Sequence, residues 1–186
     1  MRTVSYTHLD VYKRQAGSRR VLVVAGSFVG TTTRQLASLD KEYPGSVGFV
    51  DLEALSAAPT EERRRLTAAV AEAWTRGPVA CVATPRGRPE GPDLVERGLW
   101  IAGELSQLVA QLRPAPDVVV AKGGVTSAVV ASGIGEDAAW VVGPVASGIA
   151  LWDLGEQSLP RWLIIFAGNV GNDQSLSELV GQLEAA

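Results

Sequence analysis

From residue 19 onward, short apolar runs alternate with longer stretches in which apolar residues recur at helical spacing. The runs are Val21–Ala25, Val47–Val50, Val79–Ala83, Val118–Ala121, Ala139–Val142 and Leu163–Ala167, each four or five residues long. They are rich in β-branched side chains and lack the polar–apolar alternation of a half-solvated strand. Strands of this kind are covered on both faces, as in a parallel sheet sandwiched between helices. Helical patterns fill the intervals at Thr31–Leu39, Thr60–Arg76, Leu94–Leu112, Ser127–Ser132 and Leu176–Leu183. In the second of these, Thr60 reads as an N-cap with Glu61 and Glu62 in the first turn, and Gly77-Pro78 stops the helix. The alternation predicts an α/β fold: a doubly wound, mostly parallel sheet with helices on both faces, a Rossmann-like three-layer arrangement joined by right-handed crossovers. The connection Thr84–Asp93, with three prolines and two glycines, reads as the most mobile segment.

Composition narrows the function classes. The chain has 186 residues, 46% of them hydrophobic, and a formal net charge of −3. It is apolar enough to bury a core and too weakly charged for disorder. No apolar run approaches the roughly 20 residues that cross a bilayer. The acidic balance excludes the basic footprint of nucleic-acid binding. The single cysteine, Cys81, excludes a disulfide framework and a cysteine zinc site. A cytoplasmic location with no membrane or nucleic-acid partner is expected, and homo-oligomerisation is left open.

The first fifteen residues differ from the rest. Val4–Gln15 holds the one histidine, His8, and two of the three tyrosines, whereas the remainder is rich in Ala, Gly, Val and Arg. One permitted codon choice for Tyr6–Tyr12 reads as its own reverse complement, a property no protein selects. The segment resembles a translated pair of transposase mosaic ends from sequencing-library preparation. Residues 1–15 are therefore expected to be non-native, and residues 16–186 to form the domain. Without His8 there is no histidine for a triad, a general base or a metal site.

In open parallel sheets, ligands sit outside the carboxyl ends of the strands. Three glycine-rich loops fall there: Gly26-Ser27-Phe28-Val29-Gly30, Lys122-Gly123-Gly124-Val125-Thr126-Ser127 and Gly168-Asn169-Val170-Gly171-Asn172-Asp173. Each opens a helix. Glycine lets backbone approach a ligand closely, and free N–H groups at a helix N-terminus favour an anion. Ser27, Thr126 and Ser127 add hydroxyl donors, although Thr126 and Ser127 suit plain N-capping as well. Three such loops on one edge point to a phosphate-bearing ligand. None is a Walker A loop or a G-x-G-x-x-G fingerprint. Lys122 reads as a solvated strand-end lysine or a phosphate partner, and Asp173 as an Mg²⁺ contact or a first-turn acid. Arg63-Arg64-Arg65 reads as a solvated helix face, and Trp152 as core rather than the wall of an adenine pocket.

From Arg19 to the C-terminus, these motifs and their order resemble the C-terminal nucleotide-binding domain of the four-carbon acid sugar kinases. The carrying segments are VLVVAGSFVGTTTRQLASL, Thr84-Pro85-Arg86, AKGGVTSAVVASGIG, VVGPVASGIALWDLG and IIFAGNVGNDQSL. Ser147, Ala150, Pro144 and Ala167 depart from the usual pattern. The resemblance implies ATP with Mg²⁺ as cofactors and phosphorylation of a threonate-, erythronate- or 3-oxo-tetronate-like acid. It implies nucleotide contacts at Ser27, Gly123, Gly124, Thr126, Ser127, Gly168, Asn169 and Gly171. It also implies that the sugar-acid site and the hydroxyl-activating residue lie in an N-terminal domain outside this chain. Two rivals remain. Asp51, ending the second run, matches the ribose acid of an NAD-binding oxidoreductase domain, and the same pocket would serve a non-catalytic nucleotide or metabolite sensor.

Overall fold

The computed structural model describes residues 19–87, 93–134, 139–156 and 158–184. Residues 1–15, and residues 88–92 of the proline-rich connection, lie outside the described residues. The strands are β1 (Val21–Ala25), β2 (Val47–Phe49), β3 (Val79–Ala83), β4 (Val118–Lys122), β5 (Trp140–Ala146), β6 (Ile149–Asp153) and β7 (Trp162–Phe166). The helices are α1 (Gly30–Glu42), α2 (Leu52–Ala57), α3 (Pro59–Arg76), α4 (Leu94–Gln111), α5 (Gly124–Ile134) and α6 (Ser175–Glu184). Among the described residues, no helix is long and apolar enough to cross a membrane.

One seven-stranded sheet runs in the order β2-β3-β1-β4-β7-β6-β5. Its first five strands are parallel, with β1 central and Val21 registered against Val79 on one side and Val118 on the other. All residues of β1, β3 and β4 are buried, which accounts for their unbroken apolar runs. On one face Leu36 and Leu39 of α1 and Leu176, Val180 and Leu183 of α6 cover alternate strand positions. On the other, Leu66 and Val70 of α3 and Ile101, Leu105 and Leu108 of α4 cover the complementary set. The sheet is therefore doubly wound, with helices on both faces.

The departures from expectation are local. Helix α3 begins at Pro59 with Ala58 as N-cap, so Thr60 lies inside the helix rather than capping it. Proline suits this first position because its missing N–H has no helical partner to lose. Asp51 caps the short helix α2, its side chain accepting from the N–H groups of Glu53 and Ala54. The arginine triplet is not uniformly solvated. Arg64 is exposed, but Arg65 pairs with the buried Glu62, and Arg63 pairs with Glu104 of α4 at a position largely removed from water. Strand β6 is antiparallel to both neighbours and turns back from β5 at Ser147-Gly148. Pro144 sits in β5, an edge strand, where its missing donor costs no ladder bond on the open side.

Candidate functional site

The carboxyl ends of β1, β4 and β7 bring the three glycine-rich loops together, with Ser27 at the point of contact. Gly123 takes φ +122°, and a Cβ there would lie 3.1 Å from Ser27 Cβ. A Cβ at Gly168 would overlap the Ser27 hydroxyl from the other side. A Cβ at Gly26 would overlap Thr126 Oγ1, so the first loop is seated against the first turn of α5. These glycines are required by close approach between loops. The contacts are completed by Thr32 Oγ1, which donates to Gly168 O at 3.0 Å, and by the Gly123 N–H, which donates to Phe166 O at 2.9 Å.

The third loop is fixed from beneath. The buried Gln35 amide donates to Asn172 O at 2.7 Å and to Val170 O at 3.0 Å. Lys122 is fully buried, and its Nζ donates to Ala167 O at 2.7 Å and stands 3.5 Å from the Phe166 ring centroid. Loss of water pushes its pKa down to about 8. Lys122 is thus neither a solvated lysine nor a group facing the loop surface; it braces loop carbonyls. Asp173 is tied to Arg34, Nε to Oδ1 at 2.7 Å, on the exposed side of the same loop. Among the described residues, no group of three or more histidine, cysteine or acidic side chains is placed to hold a metal ion.

The sequence-predicted residues separate by direction. Ser27, Gly123, Gly124 and Thr126 line a cavity of about 230 Å³, closed by Phe28 and by Leu94, Gly98, Ile101 and Ala102 of α4. Gly124 is exposed, and a Cβ there would meet nothing within 4 Å. Ser127 turns inward, its hydroxyl donating to Ala121 O at 2.8 Å, which is neither N-capping nor a position on the cavity. Gly168, Asn169 and Gly171 lie on the third loop; Gly168 touches Ser27, Asn169 is exposed, and Gly171 packs against Ser175. Helices α1, α5 and α6 all begin at this cluster, so three positive helix ends sit on one edge of the sheet. Asp51, the ribose-acid candidate, has its Oδ1 engaged at 3.0 Å by the N–H groups of Glu53 and Ala54.

Arg86 is the site-edge residue that spacing did not single out. Its Nη2 donates to Ser27 O at 2.6 Å and to Thr84 Oγ1 at 3.3 Å, and its guanidinium lies 6.0 Å from the Phe28 ring centroid. Beside it, an open cleft of about 910 Å³ lies over the ends of β2 and β3, lined also by Phe49, Asp51, Glu53, Arg65 and Pro85. The usable signal in the sequence was the Thr84-Pro85-Arg86 turn directly after an apolar run.

Residues 22–176 match the family model described as nucleotide-binding C-terminal domain. No curated protein matches the chain significantly. A DUF1537 protein from Bordetella bronchiseptica, solved with bound citrate as a domain-swapped dimer, is similar in structure with a TM-score of 0.67 at 24% identity, over 89% of this chain and 41% of that one. A DUF1537 protein from Haemophilus influenzae gives a TM-score of 0.63 at 17% identity, over 91% of this chain and 41% of that one. The present chain thus spans 41% of the length of these solved relatives, and at such identities the likeness concerns the fold.

Proposed function

The chain belongs to the nucleotide-binding C-terminal domain family of the four-carbon acid sugar kinases, and from that premise we propose that it holds ATP for phosphoryl transfer to a four-carbon sugar acid. One observation carries the reading: three glycine-rich loops, each opening a helix, meet at Ser27 within the segment that matches the family. Phosphoryl transfer asks a protein mainly for positioning and for stabilisation of charge on the transferring group. In this proposal the Gly124 N–H and the Ser27 and Thr126 hydroxyls donate to the polyphosphate, while Gly123, its own N–H spent on Phe166 O, lets the backbone approach it closely. Gly168, Asn169 and Gly171 bound it from the β7 side, and Ser127 secures the loop without touching ligand. Lys122 and Gln35 hold the third loop rigid, so that little reorganisation accompanies binding.

Mg²⁺, where it accompanies the nucleotide, would neutralise the phosphate charge. It would arrive largely on phosphate oxygens, as is usual for this cation, because Asp173 is already paired with Arg34. The acceptor acid and the group that takes its hydroxyl proton belong, in this proposal, to an N-terminal domain outside residues 16–186, with residues 1–15 foreign to the protein. Against the dinucleotide alternative, one carboxylate oxygen of Asp51 is committed to capping α2.

The division of labour has a direct test. The chain alone, supplied with ATP, Mg²⁺ and threonate or erythronate, should release no ADP above background. Addition of a separately expressed N-terminal domain from a relative should restore turnover. Robust acid-dependent ADP release by the chain alone would contradict it.

A further inference from the structure

The cavity beside Ser27 has two unlike walls. One is made by the glycine-rich loops, where Gly26, Ser27, Gly123, Gly124 and Thr126 present backbone and hydroxyl groups. The other is one face of α4, formed by Leu94, Gly98, Ile101 and Ala102 at helical spacing, with Phe28 beside it. No side chain on this second wall carries a polar atom. At about 230 Å³ the cavity falls below the roughly 300–1,000 Å³ of sites that enclose a whole drug-sized ligand, so it takes part of one.

Two features mark this space as built for an occupant. Thr126 is 3% exposed, yet its hydroxyl makes no hydrogen bond among the described residues. Folded proteins rarely leave so buried a polar group without a partner. That hydroxyl sits between Gly26 and Gly123, and all three residues border the cavity. The second feature is Gly98, inside α4, where glycine weakens a helix relative to alanine. A Cβ at Gly98 would meet nothing within 4 Å, so no neighbour requires the glycine. Gly26 and Gly133 differ, since a Cβ there would overlap the hydroxyls of Thr126 and Ser106. A side chain at position 98 would stand between those of Leu94 and Ala102, on the cavity wall. Leu94 and Val125 add exposed apolar surface around the same space.

We propose that the α4 wall, centred on Gly98, is the nucleobase subsite of this domain. The flat ring system of the nucleotide lies against Leu94, Gly98 and Ala102 beside Phe28, and its phosphates run onto the loop wall at Ser27, Gly124 and Thr126. This placement rests on the nucleotide reading proposed above. A nucleobase suits the wall because every base has an apolar π-face that packs on aromatic and aliphatic side chains. Burial, rather than side-chain hydrogen bonds to the ring edge, supplies the grip. Gly98 sets the depth of the subsite, since a larger residue there takes up the space of the ring.

The test sets ATP against tripolyphosphate, which has the phosphates without the base, by calorimetric titration with Mg²⁺ of the wild-type chain and Gly98→Leu. The variant should weaken ATP at least tenfold and tripolyphosphate less than twofold, with the melting temperature held. Unchanged ATP affinity in the folded variant, or equal weakening of both probes, overturns the proposal. A second measurement needs no variant: in the methyl-labelled wild-type chain at saturating ATP, the adenine ring protons should show nuclear Overhauser contacts to the methyl groups of Leu94 and Ile101. Saturating ATP without those contacts overturns the subsite and leaves the nucleotide reading standing. Failure of both ATP and tripolyphosphate to bind removes the nucleotide reading itself, and the subsite with it.

Discussion

Gly124→Asp separates ligand binding from folding more cleanly than any other substitution on this edge of the sheet. Gly124 is exposed, opens α5 and lines the cavity beside Ser27, yet a Cβ there meets nothing within 4 Å. The fold should tolerate the new side chain. A carboxylate in the first turn of a helix interacts favourably with its dipole by about 0.3–1 kcal/mol, so the melting temperature should hold or rise. A phosphate placed on this helix end would feel the opposite effect. Two unit charges 4 Å apart repel by about 4 kcal/mol at an effective dielectric of 20. Exposure and salt roughly halve that figure, leaving about 2 kcal/mol, or ~30-fold in Kd. Calorimetric titration of ADP and ATP against wild type, Gly124→Asp and the neutral Gly124→Asn reads the effect. The account expects a loss in the aspartate variant that shrinks with added salt, and near-wild-type binding in the asparagine variant. Equal losses in both would show that bulk, not charge, is responsible. No loss in either would refute a phosphate at this helix end.

Three further outcomes are expected. Gly26→Ala drives a methyl into Thr126 Oγ1 and should cost about 1–3 kcal/mol in denaturant melts; Thr126→Ala should recover much of it, and strict additivity would contradict the packing. Lys122 has its pKa lowered to about 8 from 10.5, so the unfolded chain binds the extra proton between these values and stability relative to Lys122→Met should rise across that window by up to about 3 kcal/mol. Below pH 8 that relative stability should be flat, and a fall from pH 8 to 10 in paired denaturant melts would refute the reading. The comparison with the variant is needed because burial raises the pKa values of Cys81 and Tyr43, whose contributions fall as pH rises. Deleting residues 1–15 should leave stability unchanged, and a loss beyond about 1 kcal/mol would show that they pack.

The parallel part of the sheet was legible because burial on both faces forces an uninterrupted apolar run. Val21–Ala25 and Val79–Ala83 coincide with β1 and β3 for that reason. Strand β6 was not legible: Ile149–Asp153 is a mixed sequence whose strand character comes from pairing between β5 and β7, a tertiary effect. Helix α2 was also missed, since six residues carry too little periodicity and its start depends on the Asp51 cap. At the candidate site, strand-end position alone located the three loops. Spacing could not show that Ser27 is their meeting point, nor that Ser127 and Lys122 turn inward. Those directions follow from the twist of the strand end and from carbonyls contributed by Ala121 and Ala167. The role of Arg86 depends on two strands lying side by side, 59 residues apart along the chain.

The most direct test of the central claim is a calorimetric titration of this 186-residue chain with ATP and Mg²⁺, set against NAD under the same conditions. The proposed role of the three loops in holding phosphate predicts saturable binding of ATP and weaker or absent binding of NAD. Tighter binding of NAD would contradict the account.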